Sequence, residues 1–304
     1  MHPPLFTLGP VTFYSYGAAM VVGARVDISH GYTTSAGDET SRLGPFYFLT
    51  EIRHAFRDGQ AVLELVGESG WAWLARWRAR RTFHFASGAK NVFQLLQYFA
   101  ARAGFDLAAS GASSAVITSL APAFQVGPDE DGRSVVRRLL AMVPEVGRWN
   151  GAKLELRQVL AADASVYSYD VAGPHVLYAG ERVRSFPVLN HARVVGPSAI
   201  GESIDFTDLD VVLDQAAVRR DPYGTSTDLG NEAAGDVREA LVLTPAGDLV
   251  IPPNVGHELW DVITVTASRM GWPAATTARV IGQRLEFDRA RQGRFRQTLE
   301  LGGV

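Results

Sequence analysis

Three closely spaced tryptophans, Trp71, Trp73 and Trp77, are interleaved with Arg76, Arg78, Arg80 and Arg81. Single-strand binders stack bases on aromatics set among cations, and sugar-binding sites use aromatic platforms in the same way. The structural alternative is that Trp71 and Trp77 anchor a packed helix, because Trp71, Leu74 and Trp77 fall at helical spacing. That alternative is the expected one, with the arginines solvated or ion-paired. Asp205, Asp208 and Asp210 form an acidic stretch. Paired carboxylates hydrolyse glycosides only when they face each other across a cleft, so a solvated loop is the expectation here. Asp129-Glu130-Asp131-Gly132 has the look of a partial calcium loop. It lacks the alternating oxygen ligands and the distal glutamate, and fits better as acidic residues at a helix N-terminus. The seven histidines (2, 30, 54, 84, 175, 191 and 257) are scattered singly, whereas metal ligands cluster at fixed spacings. No G-x-S-x-G elbow, H-E-x-x-H helix, G-x-G-x-x-G turn or Walker-type loop occurs. The sequence therefore nominates no catalytic, cofactor-binding or metal residue.

The elements that position these residues are mostly strands. Segments 11–16 and 20–28 are β-branched and aromatic, and 31–44 reads as a polar loop. Residues 46–53 and 61–66 form an expected hairpin around Asp58-Gly59, because both turn residues tolerate positive φ. Both faces of the second strand are largely apolar, which predicts that it is well buried. A short helix or turn near 71–78 precedes a strand at 82–85. Val92, Leu95, Leu96, Phe99 and Ala103 then define one helical stripe, capped by Ser87 and stopped by Gly104. A second helix is predicted over 131–142, with Val135, Val136, Leu139 and Leu140 buried, and a short strand over 153–159. Strands resume at 166–169, 176–183 and 190–196. A helix over 228–241 is weakened by Gly230 and Gly235, at about 1 kcal/mol each. Strands over 259–267, 278–287 and 294–301 close the chain, the last two as a hairpin, with Trp260 and Trp272 expected in the core. In the last strand Phe295, Leu299 and Leu301 share one face, and Arg294, Arg296, Thr298 and Glu300 the other. No βαβ rhythm appears, which argues against a doubly wound or barrel enzyme.

Composition narrows the classes further. The 304 residues suit two or three modest domains. Lys plus Arg number 29 against 32 for Asp plus Glu, a net charge of −3 that lacks the basic excess of a dedicated nucleic-acid binder. The local arginines at 76–81 can still face a polyanion. With no cysteine, disulfides and thiolate chemistry are excluded, which fits assembly in a reducing cytoplasm. The first residues, Met1-His2-Pro3-Pro4-Leu5, have no signal-peptide pattern, and no apolar run approaches the roughly 20 residues of a membrane span.

Three segments together resemble the tail-hub proteins of long-tailed phages, a family that includes the central baseplate hub of contractile tails. The first is Gly70-Trp71-Ala72-Trp73-Leu74-Ala75-Arg76-Trp77-Arg78-Ala79-Arg80-Arg81, with the helix 91–103 and Gly104-Phe105. The second is Tyr167-Ser168-Tyr169-Asp170, Gly173-Pro174-His175-Val176-Leu177 and Asn190-His191-Ala192-Arg193-Val194-Val195-Gly196. The third is Ile251-Pro252-Pro253-Asn254-Val255-Gly256-His257 with residues 258–265, completed by Arg279-Val280-Ile281-Gly282 and the terminal 297–302. The resemblance covers about 45 to the end; residues 1–44 match nothing in it, and the lytic or fibre extension of many relatives does not follow.

The resemblance implies a β-dominated α+β fold with two β-barrel-like tail-hub domains and a small helical α+β insert. The expected division is 1–85 (first barrel), 86–160 (insert) and 161–304 (second barrel, with a short helical segment near 228–241). It implies a structural hub of a phage-type tail tip, not an enzyme. Three copies would close a ring that connects the tail tube to tip or fibre proteins and lets DNA pass. The implied partners are other copies of the chain, a tail tube or distal tail ring protein, the tape measure protein and a tip, fibre or receptor-binding protein. DNA would be met only in transit. No cofactor is implied, and the location would be the virion tail tip, assembled in the host cytoplasm. Two other functions compete: a cell-wall or polysaccharide hydrolase using Asp205, Asp208 or Asp210, and a carbohydrate-binding receptor module using Trp71 or Trp73.

Overall fold

The computed structural model describes residues 12–14, 21–28, 31–34, 37–40, 46–57, 59–109, 113–151, 153–171, 175–207, 214–221, 224–288 and 294–304. Five α-helices form among them: α1 (Gly70–Leu74), α2 (Val92–Arg102), α3 (Ala115–Ser119), α4 (Gly132–Ala141) and α5 (Ser226–Val242). The stripe read from the sequence is the one that α2 buries, with Val92, Leu95, Leu96 and Phe99 all inaccessible to solvent. Its cap is Asn91 and not Ser87. The Asn91 side chain accepts from Gln94 N while the Gln94 side chain accepts from Asn91 N, so two orphan donors are satisfied together. Gly104 follows at φ 85, the left-handed conformation that terminates a helix cheaply only at glycine. In α4 the acidic entry behaves as expected: Asp131 caps the helix by accepting from Ser134 N.

These helices share a core with segments on both sides of residue 85. Phe46, Leu74, Ala79 and Phe83 pack with Leu96, Phe99, Val136, Leu139 and Trp149. Three strands floor this core, in the order Glu145–Asn150, Lys153–Gln158, Asp106–Ala109, the last pair parallel. Asp106–Ala109 and α3 were not legible in advance, since neither has more than five residues with which to show a period.

The long hairpin pairs Phe46–Arg57 with Gln60–Ser69 across the expected two-residue turn, where Gly59 sits at φ 79. Its second strand is not well buried. The neighbouring strand Arg25–Asp27, paired on its other side with Thr12–Tyr14, meets the hairpin only at Phe46–Phe48, so among the described residues the arm beyond Ile52 and Leu65 consists of two strands. Phe56 is consequently 77% exposed and Leu63 47%. The expected loop at 31–44 also differs: Gly31–Thr34 and Gly37–Thr40 pair antiparallel, the β-branched threonines favouring extended backbone.

The C-terminal half forms a six-stranded sheet that curls into a half-barrel. Its order is Ser165–Asp170, Val262–Ala267, Trp272–Asp288, Arg294–Gly302, Gly247–Ile251, Ala179–Arg182. Ile263, Val265, Trp272, Val280, Leu299 and Leu301 fill its concave core. The apolar face of the last strand also carries Gln297, which is buried there and whose side-chain oxygen accepts from Asn254 N. Beside the half-barrel, α5 packs on one face of a three-stranded sheet in the order Ile200–Ile204, His191–Val195, Ala216–Arg220.

The two glycines of α5 have different causes. A Cβ on Gly235 would lie 1.7 Å from the carbonyl oxygen of Ala141, so this residue lets α5 cross the end of α4 at backbone contact. Nothing lies within 4 Å of the Cβ position of Gly230, and there the glycine only weakens the helix. Opposite responses to one substitution follow. In urea unfolding, Gly235→Ala is expected to lose about 1–3 kcal/mol by overpacking, and Gly230→Ala to gain about 0.5–1 kcal/mol.

Candidate assembly surface

The sequence candidates for chemistry are placed as structural residues. Trp71 packs edge-on against Trp149 at 5.7 Å, Trp73 stacks on Phe48 at 4.4 Å, and Trp77 contacts Phe83 and Phe99. Trp71, in addition, borders a cavity of about 360 Å³ between α4 and α5. Asp205 accepts from both the backbone N–H and the hydroxyl of Thr207, and these hydrogen bonds hold its carboxyl below the usual range. Asp208 and Asp210 lie outside the described residues. Among the described residues no group of three or more His, Cys, Asp or Glu could hold a metal ion.

Two histidines nevertheless occupy built environments that sequence reading did not separate from the other five. His257 Nε2 is 2.6 Å from the Tyr169 hydroxyl, and Asn254 Nδ2 donates to that same oxygen at 3.2 Å. The Asn254 amide and the His257 ring therefore meet on one buried hydroxyl oxygen. Desolvation, helped by His175, drives His257 down to about 4, while burial pushes Tyr169 up to about 12. Asn254 and His257 come from the third resemblance segment and Tyr169 from the second. The Pro252-Pro253-Asn254 loop is thus the strap that ties strand Ser165–Asp170 to the last strand through Gln297.

The same loop receives the preceding unit through guanidinium groups. Arg157 meets Asp261 at 3.0 Å, and Arg148 bridges Glu155 and Glu258. Arg279, wholly buried, donates to Asp163 at 2.9 Å and to the carbonyls of Trp260 (2.9 Å) and Leu160 (2.8 Å). Trp260 takes a φ of 75 to offer that carbonyl, while its own N–H donates to Val280.

His191 lies on the opposite, open face of the three-stranded sheet. Its Nδ1 is 2.9 Å from Asp214 and its Nε2 2.8 Å from Glu202, so both nitrogens donate and the ring is held cationic. The Glu202 hydrogen bond leads in raising its pKa. By register, Arg193, Glu202 and Val218 form the next row of this face, and Val195, Ile200 and Arg220 the row beyond. Val218 is 65% exposed and Ile200 53%. The other face is closed by α5, to which Arg219 is tied through Glu232 at 2.6 Å and Asp236 at 2.7 Å. Among the described residues this face thus sets two exposed apolar side chains, Val218 and Ile200, beside a charged centre.

Similar solved structures include phage tail proteins. The tail protein from Neisseria meningitidis aligns over 93% of this chain and 89% of its own at a TM-score of 0.62 and 12% identity. The fold is that of phage tail proteins. The 43 kDa tail protein of prophage MuSo2 from Shewanella oneidensis shares this tail fold at a TM-score of 0.59 and 11% identity, over 95% of this chain and 83% of that one. An E. coli component of the type VI secretion system, itself similar to the T4 tail proteins gp27 and gp5, does so at 0.51 and 12%, over 92% and 70%. No family model and no curated protein sequence matches the chain. The β-dominated α+β class implied by the resemblance is therefore the one observed, and the second and third segments that carried it meet at the Asn254 strap, the third also supplying Arg279 and Trp260.

A titration follows from the strap. Because the unfolded ring binds a proton near 6.5 and the folded one only near 4, the unfolded state holds more protons in that window, and His257 lowers stability as pH falls through it. The loss is about 3 kcal/mol when complete. NMR of the ring protons should place the His257 titration near 4, and His257→Phe should flatten the acid slope of stability between pH 6.5 and 4.

Proposed function

We propose that this chain is the structural hub of a phage-type tail tip, a non-enzymatic adaptor that connects the tail tube to the tip or fibre proteins. The observation that carries the reading is the tail-protein fold over more than nine-tenths of the chain. The uncovered rigid sheet face and the two-stranded arm with exposed Phe56 and Leu63 support it, because an assembly protein must present such surfaces. In this proposal residues 1–85 and 161–304 each supply a barrel, and 86–160 the insert between them. Three copies close a ring, and DNA moves through its lumen during ejection. A tail tube or distal ring protein, the tape measure protein and a tip, fibre or receptor-binding protein are its neighbours in the virion.

Electron-microscopic class averages of the purified chain, taken with its mass in solution, test this. A three-fold ring with a central opening is expected. A chain missing from purified tails, or present in them as isolated single copies, overturns the reading. Val218→Glu and Phe56→Ser sit on exposed positions and should change unfolding by no more than about 0.5 kcal/mol. Their expected effect is on assembly, shifting the solution mass from ring to monomer.

A further inference from the structure

The first resemblance segment leaves a charge pattern that the tail reading does not use. Residues 70–105 contain six Lys and Arg and no Asp or Glu, within a chain whose net charge is −3. Folding brings all six to one surface. Arg76, Arg78, Arg80, Arg81 and Arg102 line an open depression of about 700 Å³ floored by Trp77 and Phe83. Arg102 and Lys90 line a second of about 620 Å³, together with Gln94 and Gln97 on the outward face of α2. The shared Arg102 makes the two depressions one continuous track.

The cations on this track are available. Arg80, Arg81 and Lys90 are in no salt bridge, and Arg81 and Arg102 are propped over the Phe83 ring at 5.4 Å and 4.9 Å. Arg76 and Arg78 do have carboxylate neighbours, Glu68 and Asp131, but as exposed pairs these hold their partners weakly. Six like charges kept together repel one another unless an anion joins them. The shape and chemistry select which anion. A track is longer than one phosphate needs, and guanidinium forks with amide donors suit successive phosphodiester oxygens. A membrane surface would call for exposed apolar anchors beside the cations. Here Phe83 and Phe99 are turned into the core, with Trp77, Phe85 and Tyr98 packed against them, and no large hydrophobic residue of 70–105 is exposed.

We infer that the Arg76–Arg81 segment and the outward face of α2 form a binding track for the phosphate backbone of nucleic acid. Base stacking plays no part in it, since the tryptophans are already packed, so binding is independent of sequence. The inference goes beyond the assembly reading and does not need it, because it is measured on the isolated full-length chain.

Fluorescence anisotropy with a labelled DNA of roughly 30 nucleotides tests it. The expected result is binding at low salt whose logarithm falls with log salt at a slope of about −3 to −5, four or five phosphates being engaged. The triple variant Arg80→Gln, Arg81→Gln, Lys90→Gln removes no folding contact beyond one ring contact of Arg81. It should weaken binding at least tenfold and make the slope shallower by about 2–3. Arg53→Gln, on the distant arm, should change neither. No binding by the parent chain at low salt, or equal binding by parent and triple variant, overturns the inference. So does equally tight binding of poly-glutamate or of phosphatidylserine vesicles, which would mark the track as a docking site for an acidic protein or a membrane.

Discussion

A guanidinium that water does not reach must find its acceptors inside the protein, and Arg279 finds all of its acceptors off its own strand. It reaches back to Leu160 and Asp163 on the connection leaving the helical unit, and to Trp260 at the start of the half-barrel. Removing the side chain would take one donor from each of these groups, leaving Leu160 and Asp163 only the hydrogen bonds they make to each other. The Arg279 bonds join the connection leaving the first core to the start of the second, and Trp260, at φ 75, contributes its carbonyl to them.

The other contacts at this junction repeat the same logic at lower stakes. Arg157 and Arg148 approach the 258–261 loop from the Glu145–Asn150 and Lys153–Gln158 strands, so both cations are held where the loop carries carboxylates. On the far side, Gly235 lets α5 touch the backbone of α4, and Arg238 donates to the Val143 carbonyl just beyond it. Three separate cores thus behave as one frame.

Charge is distributed to match. The chain is close to neutral as a whole, yet the six cations of residues 70–105 gather on the α1–α2 side with no acidic residue among them, while the open sheet face carries balanced pairs, His191 with Asp214 and Glu202, and Arg193 with Glu202. Balanced pairs set register between surfaces, whereas an unbalanced patch attracts a polyanion over a longer range. Net charge alone conceals this, since the sum over a chain says nothing about where its members fold.

The apolar periods were enough to write α2 and α4 correctly, and the alternation of 294–301 gave the orientation of the last strand, because burying a stripe or a face is a local demand on sequence. The Asp58-Gly59 turn set the hairpin register for the same reason. What the sequence could not determine was any interaction between distant residues. Leu63 and Val66 look equally suited to a core, and Leu63 is left 47% exposed where, among the described residues, no third strand runs beside the arm. Arg279 reads as an ordinary strand residue until Asp163 and Trp260 are placed around it, and His191 and His257 look like the other five histidines until their partners arrive from 11 to 88 residues away. Local order follows from which side chains must leave water. The clamps, the neutral and cationic histidines and the cationic track depend on which segments meet, and that is fixed only when the whole chain closes.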